Sequence, residues 1–311
     1  MVTLDDVRAA AVRIRGVAVR TPLLDVGPLA LKCENLQPMG AFKVRGACNM
    51  IAQLSPAARS AGVITYSSGN HGQAVALVAQ RFGIPAVVVM PETAPPIKVE
   101  GVRRYGAEVI VAGTTTLHRK ARAEQELARR GLTMVPPFDD PWVIAGQGTV
   151  GLEIVEDRPM PDVVLTGVGG GGLISGIAVA VKSRNPNARV IGVEPEGSDA
   201  LRQGLEAGHP VPVTPHTAAD ALTGPFVGGN CLEICRELGV ESVLVSEEEL
   251  FEAFRWLYAR TKLACELGGA AGTAALLSGK VRVRAGETVV AVVSGGNIDL
   301  TRFASLVGAC G

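Results

Sequence analysis

The sequence predicts an α/β protein built from two open, twisted, mainly parallel sheets that are flanked by helices. Short buried strand patterns alternate with helical patterns, and these patterns fall into two groups along the chain. Pro136, Pro137 and Pro141 mark a crossing between the groups. At 311 residues, the chain is long enough for two domains or for one large α/β unit.

The first group begins with a helix and continues with three strands. Thr3 and Asp6 precede the apolar residues of an amphipathic pattern, so they predict an N-capped helix. A second helical pattern starts at Lys43. Apolar runs rich in β-branched residues then predict buried strands at 63–66, 86–90 and 108–111, with a helix at 73–82.

The second group has the same alternation. Its apolar runs predict strands at 163–166, 190–193, 242–245 and 288–293. Helical patterns lie between them, notably at 247–263 and 272–277. Strands that alternate with helices in this way are typical of βαβ units on a parallel sheet.

Composition excludes several classes of partner. The 30 basic and 30 acidic residues balance, so no net field attracts a nucleic-acid backbone or an anionic membrane. The amino terminus lacks a basic segment followed by an apolar one, and no run reaches the roughly 18 apolar residues of a membrane helix. We therefore expect a soluble, cytoplasmic protein.

The six cysteines fit the same compartment. They form no C-x-x-C pair and no Cys/His cluster with the spacing of a structural zinc site. Buried apolar thiols are the simpler interpretation. They are Cys33, Cys48, Cys231, Cys235, Cys265 and Cys310.

Lys43 is the candidate catalytic residue. It lies in the segment Gly40-Ala41-Phe42-Lys43-Val44-Arg45-Gly46-Ala47, among apolar neighbours. Loss of hydration lowers the pKa of an ammonium group, and the free amine can then condense with an aldehyde. Such a lysine can hold pyridoxal phosphate. A solvated surface lysine is the alternative for any single Lys.

A glycine run follows the predicted strand at 163–166. Gly169, Gly170, Gly171 and Gly172 lack Cβ atoms and precede a helix that begins near Leu173, so their N–H groups can approach an anion. A phosphate suits this position, although a flexible turn is the alternative. Ligands of parallel α/β sheets collect at the carboxyl ends of strands, where this run lies.

The same run permits a second interpretation. Gly167, Gly169 and Gly172 match the dinucleotide fingerprint, and Glu194 ends the next strand where a ribose-binding acid is expected. An NAD-dependent dehydrogenase is therefore one alternative, and a non-catalytic ligand-binding protein is another. The dehydrogenase leaves Lys43 and the loop after residue 66 without a role.

That loop contains Ser67, Ser68, Gly69, Asn70 and His71, and it opens the predicted helix at 73–82. Hydroxyls and backbone amides at a helix N-terminus suit a carboxylate, so we expect the loop to bind the α-carboxylate of a substrate. Ordinary N-capping by serine is the alternative. We expect His71 to shape the loop.

These motifs together resemble the threonine dehydratase and serine racemase family, which are pyridoxal-phosphate enzymes of fold type II with a tryptophan-synthase-β-like fold. The resemblance extends from Thr21 to Asp299. The matching segments are 31–38, 40–47, 67–74, 91–95, 137–141, 169–172 and 294–297.

The resemblance implies a role for each matching residue. Lys43 binds the cofactor and removes the Cα proton, and Ser68 occupies the position of the acid/base that racemases use on the opposite ring face. Asn70 bonds the phenolic oxygen of the cofactor. Ser294 bonds the pyridine nitrogen. Phe42 packs on the ring, Gly169 to Leu173 hold the phosphate, and Glu266 lies near the cofactor.

The resemblance also implies a divalent-ion site for Mg²⁺ or Ca²⁺ at Glu194 and the carbonyl of Ser198. Ala200 stands where a second carboxylate is expected. Water can complete the shell of a hard cation, so the sequence leaves metal binding open.

The resemblance places a small inserted domain at residues 55–140 and a large cofactor-binding domain at 1–54 and 141–311, with no carboxy-terminal regulatory domain. It implies a homodimer or homotetramer acting on a small amino acid. The expected activity is dehydration and deamination of L-threonine, and secondarily L-serine, to a 2-oxo acid and ammonia. Serine racemisation, or dehydration of another β-hydroxy amino acid, is the near alternative.

Overall fold

The computed structural model describes residues 1–67, 69–94 and 96–308. In these residues the helices are α1 (Leu4–Arg13), α2 (Lys43–Ile51), α3 (Pro56–Ala61), α4 (Asn70–Phe82), α5 (Pro96–Arg103), α6 (Thr116–Arg130), α7 (Pro141–Asp157), α8 (Gly172–Arg184), α9 (Ala200–Ala207), α10 (Gly229–Glu237), α11 (Glu247–Thr261), α12 (Leu267–Leu277) and α13 (Leu300–Gly308). The strands are β1 (Leu23–Val26), β2 (Leu29–Lys32), β3 (Val63–Tyr66), β4 (Ala86–Met90), β5 (Glu108–Val111), β6 (Thr133–Met134), β7 (Val163–Gly167), β8 (Arg189–Pro195), β9 (Glu241–Val245) and β10 (Val289–Val292).

The strands form two sheets. One has six strands in the order β1-β2-β10-β7-β8-β9, and the other has four in the order β5-β4-β3-β6. The β1–β2 pair is antiparallel, and the remaining described pairs are parallel. The predicted fold class is therefore confirmed. The four-stranded sheet uses residues 63–134, inside the range that we expect for the inserted domain, whose boundaries stay a prediction.

Three strands, β1, β2 and β6, were not predicted from the sequence. The pairing of β1 with β2 follows a tight turn at Gly27, and β1 is partly exposed, so it lacks an apolar run. Strand β2 is buried at all four positions but ends in Lys32, a residue type that usually lies at the surface. Strand β6 has two residues, which is too short for a periodic pattern.

The predicted start of α1 is confirmed in detail. The Thr3 hydroxyl accepts from the N–H of Asp6, and the Asp6 carboxylate accepts from the N–H of Thr3. This is the capping box that the sequence pattern predicts. Helix α4 begins at Asn70, three residues earlier than predicted, so Asn70 lies in its first turn.

Helices α7 and α8 pack with their backbones in contact. A Cβ on Gly176 would lie 2.5 Å from the nitrogen of Gly148, and one on Gly148 would lie 2.9 Å from the carbonyl oxygen of Gly176. Glycine is needed at both crossing positions because real Cβ atoms do not approach so closely. This close packing holds α8, and with it the glycine run at its start, against the centre of the large sheet.

The cysteines of the described residues are buried and free, as predicted, and Cys310 lies outside those residues. Within the part of the chain that the structure describes, no helix combines the length and the apolar character needed to cross a bilayer.

Candidate active site

Lys43 begins α2, and its amine lies beside the segment that precedes α7. Its Nζ donates to the carbonyl oxygen of Pro137 at 2.6 Å and lies 5.1 Å from the ring centroid of Phe42. The side chain keeps some exposure, but burial of the amine lowers the pKa of Lys43 to about 8. The amine is therefore far easier to deprotonate than that of a surface lysine.

The glycine run joins β7 to α8 beside this amine. Gly171 has a φ of +94°, a conformation that L side chains rarely adopt, and a Cβ there would lie 2.8 Å from Val227 and 2.9 Å from Cys231. A Cβ on Gly170 would clash with the ring of Phe138, the residue after Pro137. Phe138 therefore connects the run to the carbonyl that holds Lys43.

The glycine run presents unused hydrogen-bond donors. In the described residues, no protein acceptor faces the backbone N–H groups of Gly169, Gly170, Gly171 or Gly172. The first N–H groups of a helix have no partner inside the helix, and its dipole favours an anion there. Leu173 is buried in the first turn behind these donors, where it packs in the core that also contacts Phe42 and Phe138.

Ser294 lies directly against the start of α2. The N–H of Phe42 donates to the carbonyl oxygen of Ser294 at 3.1 Å, and Ala41 pairs with Gly295 in an isolated antiparallel bridge. Ser294 is itself buried, at 4% exposure. The chain after β10 and the segment around Lys43 therefore meet, although 251 positions separate Lys43 from Ser294.

Asn70 is hydrogen-bonded to two side chains, Glu266 before α12 and Asn297 after β10. Its Nδ2 donates to Oε1 of Glu266 at 2.6 Å, and its Oδ1 accepts from Nδ2 of Asn297 at 2.8 Å. Burial raises the pKa of Glu266 to about 7. The structure therefore places Glu266, which the resemblance put near a cofactor, in contact with Asn70.

The rest of the predicted substrate loop is described except for Ser68, which lies outside the described residues. The Ser67 hydroxyl accepts from the N–H of Gly69 at 3.3 Å, so it shapes the turn before α4. His71 is buried, and its Nε2 lies 3.0 Å from the carbonyl oxygen of Val135. Burial and the charge of Lys43 lower the pKa of His71 to about 3, so it is neutral near pH 7.

Glu194 caps a helix, a role that the sequence analysis did not propose. Its carboxylate accepts from the N–H of Leu201 at 2.6 Å, the N–H of Arg202 at 2.9 Å and the Ser242 hydroxyl at 2.8 Å, and burial raises its pKa to about 7. Both carboxylate oxygens therefore accept hydrogen bonds from the first turn of α9.

The expected divalent-ion site receives no support. The Ser198 hydroxyl donates to the carbonyl oxygen of Leu222 at 2.8 Å. In the residues that the structure describes, no group of three or more His, Cys, Asp or Glu side chains is arranged around a common point. The Glu194 carboxylate thus caps α9, and binding of Mg²⁺ or Ca²⁺ at Glu194 and the Ser198 carbonyl stays a prediction.

Three contact residues were missed as site residues. Pro137 and Phe138 belong to a segment noted only as a family match, and Asn297 ends the motif that begins at Ser294. No local pattern assigns them a role, because each acts through a neighbour distant in sequence.

A buried ionic network lies behind Lys43 on α2. Arg45 donates to both oxygens of Glu34, at 2.7 and 2.8 Å, and to both oxygens of Glu153, at 2.7 and 2.9 Å. Lys32 donates to Glu153 at 2.6 Å and to the carbonyl oxygen of Thr21 at 2.7 Å. Two cations thus balance two carboxylates, and the network ties the start of α2 to β2 and α7.

The two-sheet fold, with a lysine whose amine is buried and a glycine run at the end of a strand, is the arrangement that the resemblance to pyridoxal-phosphate enzymes implies. Comparison with known families identifies the same class. A family model described as "Pyridoxal-phosphate dependent enzyme" matches residues 14–295. The chain belongs to this family. Membership excludes the dehydrogenase interpretation of the glycine run.

The chain is also similar to individual proteins of known name. The chain is 43% identical to an L-threonine ammonia-lyase from Thermotoga maritima, over 99% of this chain and 78% of the relative. It is 40% identical to a serine racemase from Schizosaccharomyces pombe, over 97% of this chain and 96% of the relative. The structure of maize serine racemase superposes with a TM-score of 0.93 at 36% identity, covering 97% of this chain and 95% of the other.

Proposed function

We propose that this chain is a pyridoxal-phosphate-dependent ammonia-lyase that converts L-threonine, and secondarily L-serine, to a 2-oxo acid and ammonia. One observation carries the proposal. The amine of Lys43, with a pKa lowered to about 8, bonds Pro137, and the next residue, Phe138, packs on a glycine run whose N–H groups have no acceptor in the described residues. The 43% identity to an L-threonine ammonia-lyase supports the choice of reaction.

The residues present fit the cofactor. The glycine run from Gly169 to Gly172 would hold its phosphate with its backbone N–H groups. Glycine is needed there, because a Cβ on Gly170 would clash with Phe138 and one on Gly171 would clash with Val227. The Lys43 amine would bind its aldehyde. The Asn70 amide and the Ser294 hydroxyl would bond the ring oxygen and the ring nitrogen.

Pyridoxal phosphate, when bound, supplies an electron-withdrawing ring that makes the Cα proton of an attached amino acid removable. Lys43, displaced by the incoming amine, would take that proton as a general base. A neutral hydroxyl at Ser294 does not strongly favour a protonated ring nitrogen, which suits elimination better than transamination. The loop from Ser67 to His71 would hold the substrate carboxylate.

The overall reaction balances without an oxidant. The Cα–H and Cβ–O bonds of threonine break, the hydroxyl departs as water after accepting a proton, and water then hydrolyses the released enamine to 2-oxobutanoate and ammonia. The test is steady-state turnover of threonine, serine and hydroxyaspartate by the purified holoenzyme, with 2-oxo acid and ammonia measured together. The proposal fails if none of these substrates yields ammonia.

Serine racemisation is the second candidate, and the 40% identity to a serine racemase favours it. Ser68 is the residue that we propose as acid on the second ring face. Chiral analysis of unreacted L-serine during turnover separates the two activities, because only racemisation accumulates D-serine. A Ser68→Ala variant should lose D-serine formation while ammonia release from L-threonine persists. Assembly as a homodimer or homotetramer stays a prediction from the resemblance.

Gly170→Ala is expected to weaken cofactor affinity by about tenfold or more, since each charge-assisted hydrogen bond lost from the phosphate costs on the order of 1.5–3 kcal/mol. The new Cβ must displace either the loop or the ring of Phe138. Titration of the apoenzyme with pyridoxal phosphate measures the affinity. Gly308→Ala is the control, because a Cβ there meets nothing within 4 Å in the described chain.

The lowered pKa of Lys43 predicts a pH dependence for cofactor attachment. The neutral amine reacts, so the rate of apoenzyme reconstitution should rise with pH and level off above about 8. A lysine with the ordinary pKa of 10.5 would keep accelerating through pH 10. Stopped-flow absorbance at fixed cofactor concentration measures this profile. Continued tenfold acceleration per pH unit from 8 to 10 would contradict the lowered value.

A further inference from the structure

Three side chains from separate parts of the fold form one directed hydrogen-bond chain. Asn297, which follows β10, donates from Nδ2 to Oδ1 of Asn70 at 2.8 Å and to the carbonyl oxygen of Met39 at 2.9 Å. Asn70, in the first turn of α4, donates from Nδ2 to Oε1 of Glu266 at 2.6 Å. Glu266, buried at 4% exposure, directly precedes α12 and is the last acceptor of this hydrogen-bond chain.

The direction of this chain follows from the donor and acceptor inventory of an amide. A backbone carbonyl only accepts, so the Met39 oxygen requires the NH₂ end of Asn297 to face it. The same NH₂ group faces Asn70, so Asn70 must present its carbonyl oxygen to Asn297. Its own NH₂ group then points away, towards Glu266.

One donor of Asn70 is left over. An amide NH₂ group has two N–H bonds, and Glu266 accepts from one of them. The second has no acceptor among the residues that the structure describes. In the reverse orientation, Asn70 would present a carbonyl oxygen there, which cannot donate to an oxygen of a ligand.

The backbone is adapted to hold these side chains. Gly40 has a φ of +80°, and a Cβ at this position would clash with the side-chain oxygen of Asn297. A Cβ on Gly295 would likewise clash with Oε1 of Glu266. Two glycines in separate motifs thus make room for the two ends of the hydrogen-bond chain.

We propose that Asn297 is a positioning residue that fixes the amide orientation of Asn70, so that one N–H of Asn70 is presented to the ring oxygen of pyridoxal phosphate. Glu266 accepts the other N–H and completes the arrangement. This inference rests on the proposed function, because it assumes that the cofactor ring lies against Asn70. In this arrangement Asn297 acts through Asn70, to which it donates.

A double-mutant cycle on cofactor affinity tests this role. The dissociation constant of pyridoxal phosphate is measured for the wild type, Asn297→Ala, Asn70→Ala and the double variant, by titration of each apoenzyme. Asn297→Ala should weaken binding by about tenfold, the cost of one lost hydrogen bond to an oriented donor. In the Asn70→Ala background the same substitution should change affinity by less than about twofold, because its partner is gone.

A merely structural role would give a different result. If Asn297→Ala weakens binding equally in both backgrounds, or leaves it unchanged in the wild-type background, the proposal is overturned. A wild-type protein that binds no pyridoxal phosphate would instead contradict the proposed function.

Asn297→Asp is the second variant, in case the alanine variant does not fold. It keeps the shape of the side chain but cannot donate to Met39 or Asn70, so it should weaken binding at least as much as alanine. Wild-type affinity in Asn297→Asp would overturn the proposal.

Asn185→Ala is the matched control. Asn185 is also buried and donates from Nδ2 to a backbone carbonyl, that of Pro161, at 3.0 Å, beyond the far end of α8. Its removal should lower thermal stability and leave cofactor affinity unchanged.

Discussion

Replacing Lys43 with alanine is expected to remove the visible absorbance of the bound cofactor and to lower threonine deamination by more than about 10³-fold. The variant loses both the group that binds the aldehyde and the general base, and each contribution alone is worth orders of magnitude in rate. Ultraviolet–visible spectra and ammonia release from the same preparation measure the two effects together. Deamination retained by this variant would refute the assignment of Lys43.

Lys182→Ala is the control for that experiment. Lys182 also donates from its amine to a proline carbonyl, that of Pro186 at 3.3 Å, but this bond is exposed to solvent near the end of α8. Its loss should leave both the absorbance and the turnover unchanged. Comparison of the two variants separates the effect of losing the buried Lys43 amine from the effect of removing any lysine.

Arg45→Met is expected to lower the free energy of unfolding by about 3–5 kcal/mol, the cost of removing one partner from a buried ionic network. Lys32 would stay bonded to Glu153, and Glu34 would lose both of its hydrogen bonds from Arg45, so two buried carboxylates would face one cation. Urea denaturation of the apoenzyme, followed by circular dichroism, measures the change. A loss below about 1 kcal/mol would show that the network relaxes around the missing guanidinium.

Two further variants test the cause of that loss. Arg158→Met removes an exposed ion pair with Asp25 and should change stability by less than about 1 kcal/mol. Combining Arg45→Met with Glu34→Gln restores charge balance, so it should recover part of the stability. If the double variant is instead less stable by the sum of the single effects, charge compensation is not the cause.

Local patterns predicted much of the fold. The capping pair Thr3 and Asp6 forms the expected box, and the strand patterns at 63–66, 86–90 and 108–111 match the bounds of β3, β4 and β5. The predicted burial of 108–111 is wrong, because β5 is an edge strand with exposed ends. These features succeed because adjacent residues decide them. A cap needs residues three apart, and a buried strand needs a short run of apolar side chains.

Charged residues in the interior were the hardest to assign. Lys32, Glu34 and Arg45 are fully buried, whereas composition alone places such residues at the surface. Their partner Glu153 lies 108 positions from Arg45. The capping role of Glu194 was missed for a related reason, since its carboxylate caps a helix that starts six residues later, after a turn that the sequence does not specify.

By itself the sequence determined the class of fold, the glycine run at the end of a strand and the lysine at the start of a helix, because each depends on neighbouring residues. Only the tertiary structure decided that Phe138 covers the glycine run, that Asn297 donates to Asn70 and that Arg45 joins Glu34 to Glu153. Hydrogen bonds and ion pairs between distant residues, such as Asn70 and Asn297 at 227 positions apart, leave no local pattern, because burial and direction arise only when the segments pack.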